Sequence, residues 1–453
     1  MRRLAPVDAR FHWQSAVIGN DQFLLYCFAG QPIRLDDAAA MLRRRTRTIG
    51  DLTVRILDVP GTLDRPYWVY HRPDDDQVTV HRDLDTWQQC LDRLAVLMGA
   101  PLDPTRAPWR VHLFGPIADP PAGSGVGVVA VLQICHALAD GRGASGIARK
   151  LFTDSDSGPD LVRGPVLDRL PAPVLAGGTA ALGVARLPVD LARTVIRGTA
   201  AYRASRSQPA VAASGVPPTD LNRPPSADRL LRTIVGPRDL LPPGHTVTVG
   251  ALTAISLALD DVLDDRLGGA PLAVELTVGR SSETRARNNF RNVGVDLHTE
   301  LDDLTERAAA IAKEIDRARD ADRDPTRVAE RRATDASPAM LTRWGIRQFD
   351  VEVRPESMTG VSVVSSVYRG RADLTLDGAP VVCTAGFPAL SPAQGLTHGV
   401  HGIGDTVTLS VTTSPAIMPD VDRYLESLSA AIDRVRREVR RPDQLRPGQE
   451  RGG

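Results

Sequence analysis

The sequence predicts a mixed α/β fold (α+β) arranged as two lobes, and three observations carry that expectation. The chain has 453 residues, long for one hydrophobic core and comfortable for two lobes of about 200 residues. A Pro-, Ala-, Gly- and Arg-rich stretch at 154–217, without strand-like alternation, separates two regions in which short apolar runs alternate with amphipathic patterns. Residues 126–152 pass from an unbroken Val-rich run through a short turn into a helical pattern, which marks a strand buried on both faces and a helix packed beside it. The expected division is therefore a first lobe at 1–153, a crossover linker at 154–217 and a second lobe at 218–453.

Within the first lobe, strands are expected at 22–29, 52–59, 67–70 and 78–80, and a helix at 35–47. Residues 86–98 place Trp87, Leu91, Leu94 and Leu97 along one helical face. His112 alternates with Val111 and Leu113 and reads as a structural residue on a strand face. The linker carries one helical patch at 182–200, read as a linker helix with contact to a partner or lipid surface left open. In the second lobe, strands are expected at 229–235, 272–278 and 290–297. Helices are expected at 247–263, 301–319 and 420–440.

Composition excludes several functions. Fifty-five basic residues balance 55 acidic ones, so nothing draws the chain in bulk to nucleic acid or an anionic membrane. Cys27, Cys90, Cys135 and Cys383 lie far apart without metal-type spacing. They read as reduced, buried thiols of a cytoplasmic protein, and no metal site is expected. The N-terminus has two Arg but no apolar core of a secretory signal. No run approaches 18 apolar residues, so no spanning helix is expected.

The chemistry centres on the turn between the strand and helix of 126–152, which reads Cys135, His136, Ala137, Leu138, Ala139, Asp140, Gly141. A His at the end of a buried strand is held on a rigid element with its ring free to face a cavity, as a general base requires. An Asp four residues after a His is not selective, since five of the nine histidines have one (His71, His81, His136, His298 and His401). Only the pair His136/Asp140 is followed by Gly and lies between an apolar run and a helix. Gly141 is expected to turn the chain sharply out of the strand.

This stretch resembles the His-His-x-x-x-Asp-Gly signature of the superfamily of chloramphenicol acetyltransferase, peptide-synthetase condensation domains and bacterial wax ester synthase/diacylglycerol acyltransferases. The resemblance is nearest to the last group. It implies two chloramphenicol acetyltransferase-like lobes, each a mixed sheet flanked by helices, with the active site at their interface. It makes His136 the base and Asp140 structural, with Cys135 in place of the first His. LAPVDARF at 4–11 is similar to the family's opening segment, matching at Pro6, Asp8 and Phe11. That makes Asp8 a substrate-pocket candidate, although an N-cap explains it equally well. PLDPTRAPWRVHLF at 101–114 resembles the loop leading to the neighbouring strand. Val249–Gly250 stands where the family has an Asn-Asp pair. Residues 358–366 stand where the family has a strand ending in Ser-Asn-Val-Pro-Gly, with Ser366 and Tyr368 replacing Asn and Pro. Ser365 and Ser366 become candidate oxyanion donors by that placement. Arg280, after Gly279, matches a Gly-Arg pair and is expected to reach Asp140 in a buried salt bridge, with Arg285 and Arg291 as weaker candidates.

The expected activity is acyl transfer from a thioester, acyl-CoA or an acyl carrier protein, to a small alcohol or amine, in lipid or natural-product tailoring, with no cofactor beyond that co-substrate. A Cys135 nucleophile is disfavoured, because adjacent strand residues face opposite ways. The alternative is a catalytically reduced relative that binds a carrier protein or metabolite as a scaffold.

Overall fold

A computed structural model describes residues 1–153, 165, 170–206, 215–242, 244–263, 271–280, 285–348, 350, 353 and 355–439. The N-terminal part forms β1 (Arg2–Arg3), α1 (Pro6–Ser15), β2 (Gln22–Ala29), α2 (Leu35–Thr46), β3 (Val54–Leu57), β4 (Tyr67–Tyr70), β5 (Val78–His81), α3 (Trp87–Met98), β6 (Trp109–Ala118), β7 (Val126–Ile134) and α4 (Gly141–Phe152). A long helix α5 (Ala172–Arg206) follows. The remainder forms β8 (Leu230–Pro237), α6 (Val247–Leu263), β9 (Ala273–Gly279), β10 (Phe290–Asp296), α7 (Leu304–Ala321), α8 (Pro325–Ala336), α9 (Ala339–Arg347), β11 (Val363–Tyr368), β12 (Thr375–Leu376), β13 (Ala379–Gly386), β14 (Thr397–Ile403), β15 (Thr406–Thr413) and α10 (Val421–Glu438).

Two six-stranded mixed sheets dominate, ordered β12-β13-β2-β7-β6-β5 and β10-β9-β11-β14-β15-β8. In the first, β7 pairs antiparallel with β2 and β6, while β5 runs parallel to β6. From Val128 onward β7 has almost no exposed surface, as its continuous apolar sequence requires. Ala144, Ile147, Ala148 and Leu151 of α4 pack into the same core as α2. In the second sheet, β11 lies parallel to both β9 and β14. Its core is filled by α6, α7 and α10, with Leu252, Ile255, Leu259, Ile311 and Leu428 buried together. The helix starts obey local rules: Thr86 and Gln89 close a capping box on α3, and Asp303 and Asp420 cap α7 and α10.

Three features depart from the sequence expectations. First, β12 and β13 extend the first sheet, with Cys383 opposite Cys27 and Gly386 opposite Leu24. They cover an edge of β2 that would otherwise present unpaired backbone groups, so the two sheets do not follow the 1–153 and 218–453 division. Second, residues 325–347 form α8 and α9, which the sequence reading left without structure. Of α8 only Ala336 is buried, too little apolar periodicity to reveal a helix. Third, the patch at 182–200 is part of a 35-residue helix, and by length and composition it is apolar enough to cross a bilayer. Polar bonds also tie it down: Arg186 donates to Asp64 at 3.0 Å and to Tyr67 at 2.6 Å, and Arg3 reaches Asp190 at 3.2 Å. Most of the expected linker on either side of α5, and the expected end of the last helix at 440, lie outside the described residues.

Candidate active site

The strand β7 delivers a tightly bonded turn. Cys135 N–H donates to Pro108 O at 2.9 Å, and Leu138 N–H turns back to Cys135 O at 2.9 Å. Asp140 then caps α4, its Oδ1 accepting from Gly143 N–H at 2.8 Å. Between these anchors the His136 ring stacks on Phe11 of α1, centroids 4.1 Å apart and planes 7° from parallel, with Phe290 5.3 Å away. The ring faces a cavity of about 700 Å³ between the two sheets. Both lobes line it, with Gln22, Asp140 and Gly141 on one side and Thr248, Glu275, Phe290, Ser365 and Ser366 on the other.

The protonation state of His136 follows from Asn288, which precedes β10. Asn288 Nδ2 lies 2.8 Å from His136 O and 3.0 Å from Asp8 Oδ1, so it must be the amide nitrogen donating to two oxygens. Its Oδ1 therefore faces His136 Nδ1 at 2.9 Å as an acceptor. Nδ1 carries the proton, and Nε2, with no partner among the described residues, presents its lone pair. Burial holds the imidazole below its usual 6.5, opposed by the bond to Asn288. The ring is thus a neutral base at neutral pH.

The loop 287–289 is clamped onto the first lobe. Asp8 is 1% exposed and accepts from Arg287 N–H at 3.0 Å, Asn288 N–H at 3.1 Å and Asn288 Nδ2. Burial raises its pKa, while those donors pull it down. Asp140 Oδ2 accepts from Asn289 N–H at 3.0 Å, and Arg287 Nη1 bonds Leu138 O and Asp51.

These positions correct several expectations. Asp140 does not meet Arg280: both its oxygens are taken by backbone N–H groups. Arg280 sits at the end of the β9–β10 pairing, where its Nε donates to Phe290 O at 3.0 Å and Asp322 is its nearest acidic influence. Arg291 pairs with Asp322 at 3.5 Å, and Arg285 is exposed. Asp8 does not line the cavity and is not an N-cap; it anchors Asn288, which holds the His136 ring, and Ala5 is the N-cap of α1. Gly141 is the first residue of α4 and is not among the residues of positive φ. What it supplies is room, since a Cβ there would lie 3.3 Å from Val367 of β11. Ser365 and Ser366 do line the cavity, Ser366 Oγ sharing a 2.8 Å bond with Thr248. Asn288, Arg287 and Asn289 were not anticipated. The Arg/Asn-rich run at 285–292 was visible, but nothing in the spacing links Asn288 to a His 152 residues away.

The wax ester synthase/diacylglycerol acyltransferase catalytic-domain model matches residues 26–262, and the WS/DGAT C-terminal-domain model matches residues 287–436. The chain belongs to this family. It is an acyltransferase. No curated protein matched it in a sequence comparison. Solved structures share its fold. The wax ester synthase/diacylglycerol acyltransferase from Marinobacter aquaeolei is 17% identical over 96% of this chain and 98% of its own, TM-score 0.62. A starter condensation domain of rhizomide synthetase, in complex with C8-CoA and Leu-SNAC, is 13% identical over 95% and 94%, TM-score 0.56. The trichothecene 15-O-acetyltransferase from Fusarium sporotrichioides is 12% identical over 95% of both chains, TM-score 0.56.

Cys135, expected in place of the first signature His, directly precedes His136. It is 1% exposed, packs in the core of the first lobe and does not line the cavity. Burial, reinforced by Asp21, pushes its thiol well up, so it stays protonated.

Proposed function

We propose that this acyltransferase moves an acyl group directly from a thioester, acyl-CoA or acyl carrier protein, to the hydroxyl or amine of a small acceptor, with His136 as general base. The observation that carries the reading is the fixed tautomer: Asn288 holds Nδ1–H and leaves the Nε2 lone pair facing the cavity. Nε2 takes the acceptor's proton as its oxygen or nitrogen attacks the thioester carbonyl. The carbonyl electrons move onto oxygen, where Ser365, whose hydroxyl has no protein partner among the described residues, is positioned to donate. Collapse restores the carbonyl and breaks the C–S bond, and the leaving thiolate takes the proton from the imidazolium. Asn288 Oδ1 supports that imidazolium throughout. No covalent enzyme intermediate forms. The reaction is placed in the cytoplasm, where acyl thioesters are made.

The test is incubation with a panel of acyl-CoA and carrier-bound thioesters and mixed alcohol and amine acceptors, following thiol release and product mass. Acceptor-dependent thiol release by the wild type, lost in His136→Ala, is expected. Equal release by both proteins overturns the assignment.

A further inference from the structure

The lining of the cavity holds a buried cation that the acyl-transfer scheme does not use. Arg369 follows β11 and is 4% exposed, yet forms no ion pair among the described residues. Its partners are neutral. Nη1 donates to the Thr384 hydroxyl at 2.6 Å and to Leu25 O at 3.4 Å, and the guanidinium lies over the Tyr26 ring at 5.2 Å. Nε is buried without a hydrogen-bond partner, and the buried Tyr26 hydroxyl is a further neutral group that acts on the guanidinium. Beside it is His401, also 4% exposed, whose Nδ1 is likewise buried and unpartnered. Both side chains line the same cavity as His136.

The fold makes space for this pair. A Cβ on Gly386 would lie 2.6 Å from Arg369 Nη2 and 2.8 Å from the His401 ring, and one on Gly399 would lie 2.8 Å from that ring. Any larger residue at either position would displace them. Counting along the Ser-Asn-Val-Pro-Gly segment of the resemblance, Arg369 stands at the Gly position, so the cation is a departure from that pattern. A buried charge left unpaired is costly, and its cost is relieved when a counter-charge binds.

We propose that Arg369 and His401 form a subsite for a carboxylate on the substrate, which rests on the acyltransferase reading above. The unpartnered Nε and its neighbour Nη2 form one edge of the guanidinium, the fork that takes a carboxylate by two parallel hydrogen bonds. His401 adds a neutral N–H donor. Burial and the neighbouring Arg369 hold its pKa well below the usual value, so it brings no second charge, and the subsite suits a monoanion. Phosphates of a thioester donor have other cations, since Arg142 and Arg319 line the cavity and are exposed.

Binding is tested with unreactive probes on the wild-type chain: hexanoate against the neutral hexanamide, by calorimetry at neutral pH. Hexanoate is expected to bind about tenfold or more tightly, and Arg369→Met should erase the preference without weakening hexanamide. Gly386→Ala, which keeps the charge but displaces Arg369 Nη2 and the His401 ring, should erase it too, and serves if Arg369→Met does not fold. Equal binding of the two probes by the wild type, or a preference surviving both substitutions, overturns the subsite. Two transfer assays locate the carboxylate: an ω-carboxyacyl-CoA with a neutral alcohol, and hexanoyl-CoA with an ω-hydroxy acid, each beside its uncharged analogue. Arg369→Met should lower kcat/KM about tenfold in one arm alone. Transfer of neutral substrates without carboxylate preference in binding sinks the subsite only. Carboxylate preference without transfer of any substrate sinks the acyl-transfer reading and leaves the subsite standing.

Discussion

The two walls of the cavity are built on opposite terms. Around His136, Asn288 uses its amide oxygen and nitrogen, Asp8 takes three donors and Asp140 two. Of the His136 ring, Nε2 alone is without a partner among the described residues. Around Arg369, the guanidinium Nε and the His401 Nδ1 are both buried and unpartnered. The first arrangement fixes one atom in one orientation, which a proton transfer in the transition state demands. The second keeps buried donors without partners among the described residues, which costs stability unless a counter-group binds. On the two proposed readings, preorganisation for chemistry and readiness for recognition leave different marks on the two walls.

Removing the open atom of the satisfied wall should have the largest effect. His136→Ala is expected to lower kcat by about 10²–10⁴-fold in the thiol-release assay, with a thermal midpoint close to wild type, because its ring contacts are only partly buried. A collapse of the fold in step with activity would instead make His136 a structural residue. Asp8→Ala attacks the support behind it. Arg287 N–H, Asn288 N–H and Asn288 Nδ2 would lose an acceptor, costing about 3 kcal/mol of stability in denaturant titration and freeing Asn288 to rotate. A stability change under about 0.5 kcal/mol would show that the clamp is not needed.

Asp140 and Arg280 form a sharper case, since the sequence suggested that they pair. Asp140→Ala should cost about 1–2 kcal/mol from the lost helix cap and the bond to Asn289. Arg280→Ala should cost less, and a double-mutant cycle should show coupling within about 0.5 kcal/mol. Coupling well above 1 kcal/mol would restore a direct pair.

That error marks the boundary of what the sequence could show. The strand–turn–helix unit at 126–152 was legible because each part has a local signal: a continuous apolar run, a His-x-x-x-Asp-Gly turn and a helical face. The role of Asp140 as an N-cap is equally local, whereas the Gly-Arg pair at 279–280 points to a contact across the chain that the fold does not make. Asn288, β12–β13 and the Arg369–His401 pair were beyond reach for one reason. Each is defined by a contact between segments more than 100 residues apart or by the lack of a partner, and a single sequence encodes neither. The two lobes were seen; the strands that pass between them were not.

The pH dependence separates the walls again. Burial lowers the pKa of His136, so the neutral base persists as pH falls through 6.5, and the acid limb of kcat/KM should lie below that value. Stability follows the same sign. Buried neutral histidines such as His112, lowered to about 4, bind a proton in the unfolded chain before the folded one. Their contribution is full above pH 6.5 and is lost between 6.5 and about 4. An acid limb inflecting above 6.5 would mean that a carboxylate, rather than Asn288, governs the imidazole.

The smallest effect should come from Cys135, the residue immediately before the base. Its thiol lies in the apolar core of the first lobe, its pKa is pushed up by burial and by Asp21, and the cavity does not reach it. A protonated thiol is a poor nucleophile, and one outside the cavity cannot meet the acyl carbonyl. Cys135→Ala removes only a small apolar volume, so a loss of about 1 kcal/mol in stability is expected, with kcat within about twofold of wild type. Iodoacetamide should leave Cys135 unmodified in the native protein and label it after unfolding. An acyl adduct on Cys135, detected by peptide mass spectrometry during turnover, would replace direct transfer with a two-step mechanism and make the satisfied wall around His136 the activator of a thiol.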